Sequence, residues 1–303
     1  MTSSLIVLIL TAISCSLLGV FLILRKISML TDAISHTVLL GIVLTFFLVP
    51  DLSSPLLIVG AASMGLLTVI LVETIGKKVI SKYDDAIGMV FPILFSIAII
   101  LISKFFRNVH LDTDMVLLGE VLFSSLVKIN IFGYQIPKAI FNEIILLFVI
   151  LVFILSQYRK LKISTFDPEF AYLIGIPTTV IFYKLMVLTS LSAVVSFNSV
   201  GAILVVSFFI GPSAEALLFT NTLKQTLICA SLIATINSIV GFFLAIKLNV
   251  SIAGAVATIN MVAYLVLLVI KKYIRLRKVE VDKDININDN NKSAKRRISD
   301  YNI

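Results

Sequence analysis

Runs of about twenty apolar residues, the length a helix needs to cross a bilayer, recur along most of this 303-residue chain. They predict nine membrane-spanning helices, over residues 5–24, 30–49, 55–75, 87–103, 139–156, 178–196, 200–219, 226–246 and 252–270. The seventh is the weakest, because Gly201, Gly211 and Pro212 interrupt it, and without it the count is eight. No positive n-region or small-residue cleavage site precedes the basic flank of the first run, so it reads as a retained helix rather than a signal peptide. The expected fold class is an all-α polytopic membrane protein, with a transmembrane domain over 1–275. Over 276–303 the chain is rich in Asn, Asp and Lys and poor in large hydrophobes, which predicts a disordered cytoplasmic tail.

Two segments between the spans have patterns of their own. "STFDPEFAYLIGIP" (164–177) predicts a helix of about two turns. Asp167 is a good N-cap, Pro168 suits the first helical position, and Glu169 sits in the first turn. Gly175 can end the helix and Pro177 prevents its continuation. Its apolar side, through Phe170, Leu173 and Ile174, suits either a lipid surface or a docking partner. The other segment, 104–138, is long and mixed, and "NVHLDTDMVLLGEVLF" within it predicts a re-entrant or surface helix.

Composition agrees with the pattern. The chain is 59% hydrophobic and 14% charged, against about 25% charged residues in soluble domains, and its mean hydropathy is +1.10. The net charge of +8 is no nucleic-acid signal, because the basic residues lie in the tail or flank the spans. An outside N-terminus puts Arg25, Lys26, Lys77, Lys78, Lys82, Arg159, Lys160, Lys162, Lys224 and the tail inside. The outside then receives only Lys104, Arg107, Lys128, Lys138 and Lys247, with Lys184 inside a span. Cys15 and Cys229 both lie in apolar spans and read as small buried hydrophobes.

Against this background Asp32 and His36 stand out. Ionisable groups within a span cost about 2.5–3.5 kcal/mol each and mark functional candidates. Four positions apart, the two share one helix face. A carboxylate oxygen with an imidazole nitrogen suits first-row divalent cations, with hydroxyls of Thr31, Ser35 and Thr37 close in sequence. A pair bonded to itself across one turn, serving only packing, fits the same spacing. Two ligands leave the rest of any coordination shell to other helices, waters or a second chain. Glu215 reads as a helix-end residue near the interface or a pathway lining, and Glu73, Asp84 and Asp85 as interfacial charges beside lysines. His110, Asp112, Asp114 and Glu120 form an acidic outer stretch, suited to a solvated surface, a docking face or a cation entry. There is no GxxxxGK[ST], HExxH or GxSxG sequence, so uphill transport would draw on an ion gradient or a separate ATPase. Small residues Gly60, Ala61, Ala62, Gly65, Gly201 and Gly211 permit close helix packing.

Five blocks in order carry a family resemblance: "LRKISMLTDAISHTVLLGIVLTFFL" (24–48), "DDAIGMVFPILFSIAIILIS" (84–103), "DTDMVLLGEVL" (112–122), "FDPEFAYLIGIP" (166–177) and "VVSFNSVGAILVVSFFIGPSA" (194–214). Together they resemble the permease subunits of bacterial ABC importers for zinc, manganese and iron. The resemblance implies a type II importer fold in the cytoplasmic (inner) membrane. It also implies a second permease subunit (a copy or a paralogue), cytoplasmic ABC ATPase subunits that hydrolyse ATP, and an extracytoplasmic metal-binding protein. The chain itself would then be no enzyme and hold no permanent cofactor, its metal being cargo. The family's membrane Asp and His correspond to Asp32 and His36, and its coupling helix to Phe166, Asp167, Pro168, Glu169 and Gly175. Where the family commonly has proline, this chain has Leu40, a departure that predicts a straighter second span. Two rivals are an ABC permease for a metal chelate and a proton-coupled secondary transporter using Asp32 and His36 as a relay.

Overall fold

The computed structural model describes residues 2–50, 54, 56–78, 83–105, 128–131 and 134–274. Nine helices among the described residues are long and apolar enough to cross a membrane. They are α1 (Thr2–Leu24), α2 (Leu30–Leu48), α3 (Leu56–Lys78), α4 (Tyr83–Phe105), α5 (Lys138–Phe166), α7 (Thr178–Val200), α8 (Ala202–Phe219), α9 (Leu223–Leu248) and α10 (Ile252–Ile274), with the short α6 (Pro168–Leu173) between α5 and α7. The weak seventh run is a separate helix: Gly201, at φ +86°, ends α7 and opens α8 in a backbone region other residues adopt only under strain. Pro212 lies inside α8, and Pro92 inside α4. Neighbouring helices can compensate the bond each removes.

Helix α1 carries no charge along Thr2–Leu24 and is buried on all sides from Ser14 to Leu22, as expected of an apolar helix without a polar face. Around it pack α5, α7, α8 and α9. Helices α2, α3 and α4 form a second group that joins the first mainly through α7, with α2 also touching α8. Helices α4 and α5 turn apolar rows outward at helical spacing, Ile93, Ile97 and Ile100 on one and Phe148, Val152 and Leu155 on the other. Such exposed rows are what lipid requires.

Close approach of α2 and α3 depends on glycine. A Cβ on Gly41 would collide with the Gly60 carbonyl and lie 2.8 Å from Ala61 Cα, and one on Gly60 would overlap the Thr45 hydroxyl. Thr68 Oγ1 donates to Thr37 Oγ1 at 2.8 Å two turns further along the same seam. Gly60→Leu is therefore expected to wedge α2 off α3, at a cost of about 1–3 kcal/mol as for other overpacked cores. Thermal unfolding in detergent checks this against Gly254→Ala, whose Cβ would meet only Ser251 Cβ at 3.9 Å and should leave Tm unchanged.

The 104–138 segment ends, in its described part, as a β-hairpin, and the re-entrant or surface helix expected over 108–123 lies outside the described residues. Strand β1 (Lys128–Ile131) pairs antiparallel with β2 (Tyr134–Pro137), Lys128 opposite Pro137 and Ile131 opposite Tyr134. Its isoleucines and tyrosine favour extended backbone. The 112–122 block and the tail lie outside the described residues.

Candidate functional site

Asp32 and His36 sit in the first two turns of α2, at the end of the bundle where α1 and α5 also finish. Asp32 is in the first turn, where the helix dipole favours a negative charge. The His36 Nε2–Asp32 Oδ1 distance is 3.7 Å, too long for a hydrogen bond. The side chains are 28% and 47% exposed, so the pair looks out of the packed bundle rather than into it. Helix α4 holds the imidazole in place: Phe91 stacks on it at 5.6 Å and Phe95 meets it edge-on at 5.3 Å. The buried Nδ1 has no hydrogen-bond partner among the described residues.

The two side chains are not hydrogen-bonded to each other and stay partly exposed, although the imidazole packs against Phe91 and Phe95. A cation bonded to both atoms at about 2.1 Å would subtend about 120° between them, open enough for further ligands. The neighbouring hydroxyls do not join it. Thr31, Ser35 and Thr37 are buried and donate to the carbonyls of Ser28, Asp32 and Ala33. No group of three or more His, Cys, Asp or Glu able to hold a metal occurs among the described residues. The pair thus presents one carboxylate oxygen and one imidazole nitrogen, 3.7 Å apart, on a partly exposed face.

The other intramembrane polar residues divide differently from their sequence reading. Glu215, read mainly as a helix-end residue, is 1% exposed and accepts from Asn237 Nδ2 at 3.1 Å. Asn237 also donates to Asn260 Oδ1 at 3.0 Å, and Asn260 to Ser207 Oγ at 2.9 Å, a chain of bonds tying α8 to α9 and α10. Glu73, read as an interfacial charge, is buried within α3. Asp84 and Asp85 are exposed in the first turn of α4, as expected. Glu143 drew no attention in the sequence, yet it is fully buried and accepts from Ser196 Oγ at 3.1 Å. A lone glutamate inside an apolar run was the available signal. The outer residues His110, Asp112, Asp114 and Glu120 lie outside the described residues.

Helix α6 forms as its residues dictate. Phe170 N donates to Asp167 Oδ1 at 2.9 Å, and Pro168 opens the helix. Gly175, at φ +79°, closes it: Gly175 N–H reaches Tyr172 O at 3.0 Å and Ile176 N–H reaches Ala171 O at 2.9 Å, a Schellman ending. Only Ala171 is buried. Phe166, Phe170, Tyr172, Leu173 and Ile174 are all exposed, Leu173 to 81%. This apolar knob stands out from the bundle at the Asp32 end. Beside it Arg25, read as a topology-setting charge, is partly buried. Burial lowers its pKa to about 10, which leaves it cationic at neutral pH.

Comparison with known proteins agrees with this architecture. The manganese transport system membrane protein MntD of Bacillus subtilis is 44% identical over 257 residues, 84% of this chain and 87% of that one. The zinc transport system membrane protein TroD of Treponema pallidum is 42% identical over 281 residues, 90% of this chain and 77% of that one. Among solved structures, PsaBC from Streptococcus pneumoniae in complex with Fab superposes with a TM-score of 0.75 at 31% identity, covering 91% of this chain and 94% of that one. The model of the ABC 3 transport family matches residues 1–271, which takes in every helix from α1 to the last turn of α10, and the chain belongs to that family.

Proposed function

We propose that this chain is the membrane-spanning permease subunit of an ATP-driven importer of divalent transition-metal ions, zinc, manganese or iron, in a bacterial cytoplasmic membrane. Asp32 and His36 are its transient metal ligands, and α6 with Phe166, Asp167, Pro168, Glu169 and Gly175 is the contact for a separate ATPase. The observation that carries the reading is the pair on α2: two metal-competent atoms 3.7 Å apart, accessible and not bonded to each other, in an otherwise apolar span. The relatives named for manganese and zinc support the cargo class. The pair calls for further ligands, from water or from a second permease subunit across the open face. An extracytoplasmic metal-binding protein supplies the ion, and Asp112, Asp114 and Glu120 mark its entry.

Uptake by the complex in proteoliposomes tests this. Radiolabelled manganese or zinc is expected to enter only when the ATPase subunits, ATP and the delivery protein are all present. Uptake driven by a pH gradient without the ATPase would make the pair a proton relay and overturn the reading.

A further inference from the structure

A lysine or arginine that only sets topology keeps its charge in water. Arg25 does not. Its Nη2 donates to Ser164 Oγ at 2.9 Å and its Nε to Thr165 Oγ1 at 3.2 Å. Both partners are buried, in the last turn of α5, and Thr165 stands two residues before the Asp167 that caps α6. Arg25 forms no ion pair among the described residues. Two hydroxyls and the negative end of the α5 dipole are what holds this cation. The planar fork of guanidinium suits two acceptors at once, which a lysine cannot match.

Arg25 is also the first residue of a stiff corner. It ends α1, and Lys26 (φ +58°) and Ile27 complete a Schellman ending, with Lys26 N–H on Ile23 O at 2.9 Å and Ile27 N–H on Leu22 O at 3.0 Å. Leu30 N–H then bonds Ile27 O at 3.1 Å, and Thr31 bonds Ser28 O through its N–H at 3.1 Å and its hydroxyl at 2.7 Å. Asp32 follows at once. The base of α6 and the first turn of α2 are thus joined by one side-chain fork and one hydrogen-bonded turn.

We propose that Arg25 is a positioning residue of the transport cycle, a strut through which movement of α6 is carried to Asp32 and His36. The proposal rests on the reading of α6 as the ATPase contact and of Asp32 and His36 as metal ligands.

The test uses the permease assembled with its ATPase and delivery protein in proteoliposomes, with manganese(II) and zinc(II) as probes, reading metal moved per ATP hydrolysed. The double variant Ser164→Ala/Thr165→Val keeps Arg25 and removes only its acceptors. It is expected to assemble and to hydrolyse ATP within about twofold of the parent, while metal moved per ATP falls about tenfold, within the range of known coupling energies. Arg25→Gln should show the same fall, and combining it with the double variant should add nothing. Arg25→Lys should recover only part. An unchanged metal-to-ATP ratio in the double variant overturns the strut, even if Tm drops, because it leaves Arg25 a residue of stability alone. Additive losses overturn it too, since Arg25 would then act elsewhere. If the parent complex moves neither metal, it is the metal-importer reading that fails.

Discussion

Asp32→Ala and His36→Ala are each expected to abolish metal uptake by the reconstituted complex, while assembly with the ATPase and Tm stay close to the parent. The magnitude separates a ligand from a packing pair. A partly exposed ion pair at 3.7 Å contributes about 0–1 kcal/mol to stability, so a structural role predicts almost no effect. Outer groups that merely orient a metal ligand already change affinity about 10–100-fold, so losing the ligand itself should exceed that. His36→Phe sharpens the result, because it keeps a ring against Phe91 and Phe95 and removes both nitrogens. It should transport no better than His36→Ala. Initial rates of radiolabelled manganese and zinc uptake decide it. Unimpaired uptake in all three variants would remove the proposed site and leave the family assignment untouched.

Hydropathy made the helices legible because a span must satisfy its backbone internally and cover about 30 Å of hydrocarbon, a constraint written residue by residue. It failed where a segment's role depends on what surrounds it. The fifth run was expected to stop at 156, where "SQYRKLKISTF" turns polar, but α5 continues to Phe166. Gln, Arg and Lys are good helix formers, and Leu161, Ser164 and Thr165 are buried at the α1 corner. Glu73 and Glu215 do lie near the ends of their helices, as position along a span shows in sequence, but the buried face each presents does not show there. Arg25 was assigned by charge alone, since its acceptors lie about 140 residues away. The Asp167 cap, the Gly175 ending and the shared helix face of Asp32 and His36 are legible in the sequence because each rests on contacts within one or two turns.

The second large effect is expected at α6. Glu169 and Leu173 are exposed on a six-residue helix held by the Asp167 cap and the Gly175 ending, neither of which involves them. Substituting either should therefore change Tm little, since exposed positions away from such features stay within about 0.5 kcal/mol. Transport should respond far more. Leu173, 81% exposed among Phe170, Tyr172 and Ile174, is the tip of an apolar knob that a protein groove would desolvate. Leu173→Asp would bring an unpaired carboxylate into that contact, and Glu169→Arg would reverse the charge beside it. Both are expected to release the ATPase on size-exclusion chromatography, or to leave it bound and hydrolysing ATP without moving metal. A helix that only lay on lipid would tolerate Glu169→Arg well, because an arginine can keep its charge at the headgroups while its stem stays apolar. Normal, coupled uptake by Glu169→Arg would thus reassign α6 to the membrane surface. Loss of coupling with an unchanged Tm would place the ATPase on it.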